Sequence, residues 1–160
     1  SLEKWSNIKN SYANLKLHMI GKLQTNKVKY VIPLFDYIHS LDNLKLAEKI
    51  FIEQKKLNKY LKIFIQVNIG NEQQKGGIDP KNLKEFYNEC VSKFKLNIVG
   101  LMCIPPNEGD VKFFFNQMFQ LNKSLNLKEL SMGMSSDFLE AIEQGSTFVR
   151  IGSKIFGDRH

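Results

Sequence analysis

Residues 131–159 read SMGMSSDFLEAIEQGSTFVRIGSKIFGDR. The β-rich runs at 127–132 (LKELSM) and 147–151 (TFVRI) enclose a short helical stretch, and Gly152-Ser153 then open the run 154–156. Strand, helix and strand in so short a span is the unit of a parallel sheet, whose crossovers are right-handed. The block also holds both arginines, Arg150 and Arg159, of a chain with 23 Lys+Arg. Arg150 lies inside the apolar run Phe148-Val149-Arg150-Ile151, where a guanidinium is costly without a partner. That partner is either an internal carboxylate, Asp158 or Glu143, or a bound ligand.

The same unit repeats upstream. Further β-rich runs fall at 15–20 (LKLHMI), 36–41 (DYIHSL), 61–68 (LKIFIQVN) and 96–102 (LNIVGLM). Most are nearly continuous apolar segments, the pattern of strands covered on both faces. Between them lie amphipathic helices. One follows Asp79-Pro80, a capping residue with proline at the first helical position, and sets Leu83, Phe86, Tyr87, Cys90, Val91 and Phe94 on one face. A second stripe, Val111, Phe114, Phe115, Met118, Leu121 and Leu125, follows one unit later. Both stripes read as core. Six strands over 160 residues is about 27 residues per unit, close to an eightfold barrel's roughly 250 over eight. The expected fold is therefore α/β, either doubly wound or a TIM-type (β/α)8 barrel. A closed eightfold barrel needs two more units.

A single domain, 1–160, accommodates this length and a hydrophobic content of 42%. The net charge of +7 comes from lysines such as Lys45, Lys49, Lys55, Lys56 and Lys93 interleaved with acids on helix faces. That is a solvated surface, not the basic, aromatic-studded stripe of a nucleic-acid site. Cys90 and Cys103 have neither metal nor disulfide-framework spacing, so a reducing, cytoplasmic setting is expected. No apolar run reaches membrane-spanning length.

In parallel architectures ligands gather at the carboxyl ends of strands. Those ends carry His18, His39, Asn68, Met102, Ser131 and Arg150, with Gly21, Ser40, Gly70, Gly133 and Gly152 close behind. Taken alone, His18 and His39 read as hydrogen-bonded structural histidines, and without HExxH or clustered carboxylates no metal site is expected. Cys103 reads as a small apolar filler. No Ser-His-Asp order or paired carboxylates stand out. Gly152 and Ser153 begin a short helix after the last strand, the place where barrels commonly hold phosphate. Ser131 and the GMSSD turn add hydroxyl and amide donors beside it.

At this point the motifs KLHMIGKLQTNKVKY (16–30), IHSLD (38–42), IQVN (65–68) with KGG (75–77), VGLMCIP (99–105) and the block from Leu130 to Arg159 can be taken together. In this order they resemble the pyridoxal-phosphate homeostasis protein family, whose fold is similar to the amino-terminal barrel of alanine racemase. The resemblance implies a TIM-type barrel that binds pyridoxal 5′-phosphate (PLP) and manages its supply without established turnover. By position, Arg150 corresponds to the arginine that faces the pyridine nitrogen. A group that is never neutral keeps that nitrogen unprotonated and weakens the electron sink of amino-acid chemistry. Ser131, Gly152 and Ser153 correspond to the phosphate cradle, with Asn68 and His39 as wall residues. PLP-dependent apo-enzymes are the implied recipients, and the complete protein is expected to be a monomer.

Family members begin with a strand carrying a Schiff-base lysine and a second strand ending in Gly-Glu-Asn. Neither is found before Leu15, so the chain is expected to lack the first two strands, about 60 residues at roughly 30 per unit. Lys22, Lys27 and Lys75 lie near strand ends, and nothing in the sequence selects one as a substitute. The enzyme alternative is a PLP-dependent racemase or decarboxylase of the same fold, which requires an added β domain and a second acid/base residue.

Overall fold

In the computed structural model, which describes residues 2–158, the chain alternates helices and parallel strands. The helices are α1 (Leu2–Ser11), α2 (Val28–Val31), α3 (Leu44–Leu57), α4 (Leu83–Ser92), α5 (Val111–Ser124), α6 (Phe138–Glu143) and α7 (Ser153–Phe156). The strands are β1 (His18–Met19), β2 (Tyr37–Leu41), β3 (Lys62–Gln66), β4 (Asn97–Met102), β5 (Glu129–Met134) and β6 (Phe148–Arg150). Each strand pairs with the next in sequence, giving one six-stranded sheet in the order β1-β2-β3-β4-β5-β6.

Local chemistry sets the helix boundaries. Asn43 Oδ1 accepts from the Leu46 amide (2.8 Å) to start α3, which ends at Asn58 in the left-handed conformation (φ 48°). Asp79 accepts from the Lys81 amide ahead of α4, with Pro80 in the first turn as expected. Asp110 does the same for Lys112 at α5. The α5 stripe is confirmed, with Phe115 and Met118 fully buried and Val111, Phe114, Leu121 and Leu125 packed against the core. In α4, Leu83, Phe86 and Cys90 are buried, but Val91 is 36% exposed, on the edge of the stripe rather than within it.

The outward strand residues Ile38, Ile63, Ile65, Leu101, Leu130 and Met132 form one cluster with Ala47 and Ile50 of α3, Phe86 of α4 and Phe115 of α5. Burying each of the larger aliphatic or aromatic side chains contributes about 1.5–3 kcal/mol. Buried amides tie the layers together: Gln54 Oε1 accepts from the Leu61 amide (2.8 Å), and Asn122 Oδ1 from the Leu101 amide (3.0 Å). At Gly133 (φ +98°) a Cβ would lie 2.6 Å from Ala141 Cβ, so only glycine lets α6 sit this close to β5.

The sheet is curled. On a flat sheet β2 and β5 would stand about 14 Å apart, at about 4.8 Å per strand. Yet His39 Nδ1 of β2 lies 2.9 Å from Ser131 Oγ of β5. The rings of His18 and Phe148, on the two edge strands, have centroids 5.8 Å apart. Rolling the sheet this far makes six strands into an incomplete barrel wall with an interior of its own, the α/β barrel form of the two expected architectures. The expected strand at 15–20 narrows to His18–Met19, since an edge strand has one neighbour to pair with.

Candidate functional site

The barrel interior is aromatic and polar at once. The His18 ring stacks on Tyr37 (4.1 Å, 5°), and the His39 ring on Phe64 (4.3 Å, 17°). Phe148 meets Phe64 edge-on at 5.4 Å. These pairs are worth about 0.5–1.5 kcal/mol each beyond burial and hold the rings in place.

Above this layer, at the carboxyl ends of the strands, Arg150 turns inward from β6. Its Nη1 donates to Ser131 Oγ (2.8 Å) and to the Ser131 carbonyl (3.2 Å), and its Nη2 donates to the Cys103 carbonyl (2.8 Å). Among the described residues no carboxylate pairs with it; Glu143 instead pairs with Lys112 at 3.6 Å. The cation is thus held by neutral acceptors, leaving Nε–H and one Nη2–H without an acceptor among the described residues. Burial lowers its pKa, with Cys103 and Asp137 opposing the shift. Burial likewise pushes the Cys103 thiol up to about 12, so it stays protonated and unreactive.

Arg150 forms part of the wall of a cavity of about 1020 Å³. The β4–α5 loop contributes Pro105 and Pro106, the turn after β5 contributes Met134, Ser135 and Asp137, and the last segment contributes Gly152, Ser153 and Phe156. Two bonds shape the turn: Asp137 Oδ1 accepts from the Met134 amide (2.7 Å), and Ser135 Oγ accepts from the Gly152 amide (3.3 Å). The Ser153 and Lys154 amides open α7 and have no backbone acceptor among the described residues. The cavity wall thus gathers a guanidinium, the hydroxyls of Ser135, Ser136 and Ser153, and the Ser153 amide beside the Asp137 and Asp158 carboxylates; its donors suit a phosphate-bearing anion.

Arg150, Gly152 and Ser153 all line this cavity. Ser131 lies one layer below, fully buried and bonded to Arg150. His39 is deeper still, 1% exposed and bonded to Ser131. Asn68 lies elsewhere: its Nδ2 donates to the Glu72 carbonyl (2.7 Å) and its Oδ1 accepts from the Glu72 amide (3.1 Å), closing the 68–72 loop on itself. Lys22, Lys27 and Lys75 do not line the cavity, and Lys75 pairs with Glu72 at 2.9 Å. Sequence reasoning did not single out Pro105, Pro106, Met134 or Phe156. For Met134 the GMSSD turn was the available signal; the prolines and Phe156 carry no chemical signature of a site. Among the described residues no group of His, Cys, Asp and Glu is arranged to hold a metal ion.

Fold and lining together define an incomplete (β/α) barrel with a donor-bearing cavity at the carboxyl ends of its last strands. Residues 6–160 match the family model for the alanine racemase N-terminal domain. The chain is 42% identical to the pyridoxal phosphate homeostasis protein of Aquifex aeolicus over 99% of its length, spanning 72% of that relative. It is 38% identical to the protein of the same name from Synechocystis, over 93% of its length and 72% of the relative. Among solved structures, PipY of Synechococcus elongatus with PLP bound superposes with a TM-score of 0.87 at 30% identity, covering 98% of this chain and 79% of that one. The chain belongs to the pyridoxal phosphate homeostasis protein family. Its relatives are named for homeostasis of the cofactor, not for a reaction, unlike the racemase and decarboxylase alternative.

Proposed function

We propose that this chain binds pyridoxal 5′-phosphate in the cavity between β4, β5 and β6 and takes part in its supply. The observation that carries the proposal is the buried Arg150 cation, fixed by three neutral acceptors with two N–H groups left over at the cavity wall. The phosphate is assigned to the Ser153 and Lys154 amides with the Ser135 and Ser136 hydroxyls, and Gly152 keeps the approach open, since a Cβ there would meet nothing within 4 Å. Arg150 faces the pyridine nitrogen. When bound, the cofactor supplies an aldehyde and an electron-withdrawing ring. An arginine beside that ring, always charged and never a proton acceptor, keeps the nitrogen an acceptor and restrains the ring's chemistry. Ser131 acts from below by holding the guanidinium. His39 supports it in turn, and Asn68 shapes the neighbouring loop.

On this reading the protein works as a monomer in the cytoplasm and hands its cofactor to PLP-dependent apo-enzymes. Supporting the location are the two free, buried cysteines. No helix among the described residues is long and apolar enough to cross a membrane. Calorimetric titration of the 160-residue chain with PLP tests the site. One-to-one binding, weakened at least tenfold by Arg150→Ala and competed by inorganic phosphate, is expected. Binding insensitive to Arg150→Ala would refute the assignment.

A further inference from the structure

One chain of hydrogen bonds crosses the barrel interior: Arg150 Nη1 to Ser131 Oγ (2.8 Å), Ser131 Oγ to His39 Nδ1 (2.9 Å), and His39 Nε2 to His18 Nδ1 (2.9 Å). Its direction is set at one end, because a guanidinium only donates. Ser131 Oγ accepts from Arg150, so the hydroxyl's own proton goes to its other partner, His39 Nδ1. His39 then carries its proton on Nε2 and donates to His18 Nδ1. In this arrangement every hydrogen between Arg150 Nη1 and His18 Nδ1 meets an acceptor. The reverse, with His39 Nδ1 protonated, would aim a second donor at Ser131 Oγ and leave the hydroxyl proton without an acceptor in the chain. Neither histidine lines the cavity, and their stacks on Phe64 and Tyr37 restrain the rings.

We infer that His39, backed by His18, is a positioning residue for Arg150: by accepting the Ser131 proton it fixes a serine lone pair on Nη1 and so aims the two remaining guanidinium N–H groups at the ligand. The inference rests on the PLP-site reading for its consequence and on the bond chain for its geometry. Burial, together with the neighbouring His18 and Arg150 charges, holds His39 neutral, as the chain requires. Cooperative polarisation from the buried cation strengthens each bond in turn.

The sequence holds two arginines, so guanidinium NMR of the chain labelled with 15N-arginine gives one signal set for Arg150 and one for Arg159. The variants are His39→Phe, which keeps the stack on Phe64 and removes the acceptor, and His39→Asn, whose Oδ1 stands in for Nδ1. In the ligand-free protein, Arg150 Nη signals should be resolved and slowly exchanging in wild type and His39→Asn, and averaged in His39→Phe. PLP affinity should fall roughly tenfold in His39→Phe, the size of one misdirected charged hydrogen bond, and recover in His39→Asn. Should His39→Phe fail to fold, Ser131→Ala carries the same expectation, and His18→Phe a smaller one. Arg150 signals and PLP affinity that stay unchanged in the folded variants overturn the inference. Absence of PLP binding in wild type would overturn the site reading alone, since the guanidinium signals decide the positioning role without ligand.

Discussion

Replacing His39 with asparagine should flatten the pH dependence of stability. His39 is 1% exposed, and burial first, then the adjacent His18 and Arg150, push its pKa from an ordinary 6.5 to about 3. Between these values the unfolded chain binds a proton that the folded chain does not. Stability therefore rises with pH across the window and is lost as pH falls below 6.5, with no further loss below about 3. From pH 7.5 to 5 an unfolded histidine takes up nearly one proton while folded His39 takes up almost none, a loss of about 2 kcal/mol. For a chain of this size that is about 4–8 °C in Tm. His39→Asn keeps the bond to Ser131 and cannot titrate, so it should be less stable at pH 7.5, where it lacks the ring stack, and lose about 2 kcal/mol less on acidification. Urea unfolding at pH 7.5, 6 and 5 measures both curves. His18, lowered chiefly by burial, and Asp36, held low by Lys9 and the Leu17 amide against its own burial, contribute to wild type and variant alike. Equal losses in the two proteins would refute the claim that His39 is held neutral.

Gly100→Ala would drive a Cβ into the Glu129 backbone carbonyl on the neighbouring strand, and a loss above about 3 kcal/mol is expected by denaturant titration. Asn122→Ala leaves the buried Leu101 amide and the Leu127 carbonyl without their side-chain partner and should cost about 1–3 kcal/mol in the same assay. Cys90 and Cys103 have pKa values pushed up to about 12, chiefly by burial, so neither should react with a disulfide reagent at pH 8 until the chain unfolds. A fast-reacting thiol in the native protein would contradict that burial.

The strands were legible because β-branched and aromatic runs alternate with capped amphipathic helices. Five of the six expected runs contain an observed strand and the sixth, 127–132, overlaps β5, which runs on to Met134; the cap expected at Asp79 is in place, while the one at Asp110 was not singled out in the sequence. Pattern could not show how far the sheet rolls, because curl is a property of all the strands at once. Arg150 stood out in sequence as a cation in an apolar run. Its partners did not, since two of its three acceptors are carbonyls, which every residue has. The reading of His18 and His39 as hydrogen-bonded histidines was available for each alone. That they bond to each other depends on the roll. Asn68 has the residue type of a ligand contact, yet its amide closes a loop, and nothing in the letters distinguishes those uses.

The strand order also dictates a sequence of events in time. Adjacent strands pair over separations from 16 positions, Met134 to Arg150, to 36, Phe64 to Gly100. The His39 to Ser131 bond spans 92. Closing short loops costs less entropy than closing long ones, so the ladder can grow by successive additions as the chain emerges, while the contact that aims Arg150 waits for the roll. Amides that join β5 to β6 should gain protection from exchange earlier in refolding than those that join β3 to β4, and the His39 to Ser131 contact should be the last to form.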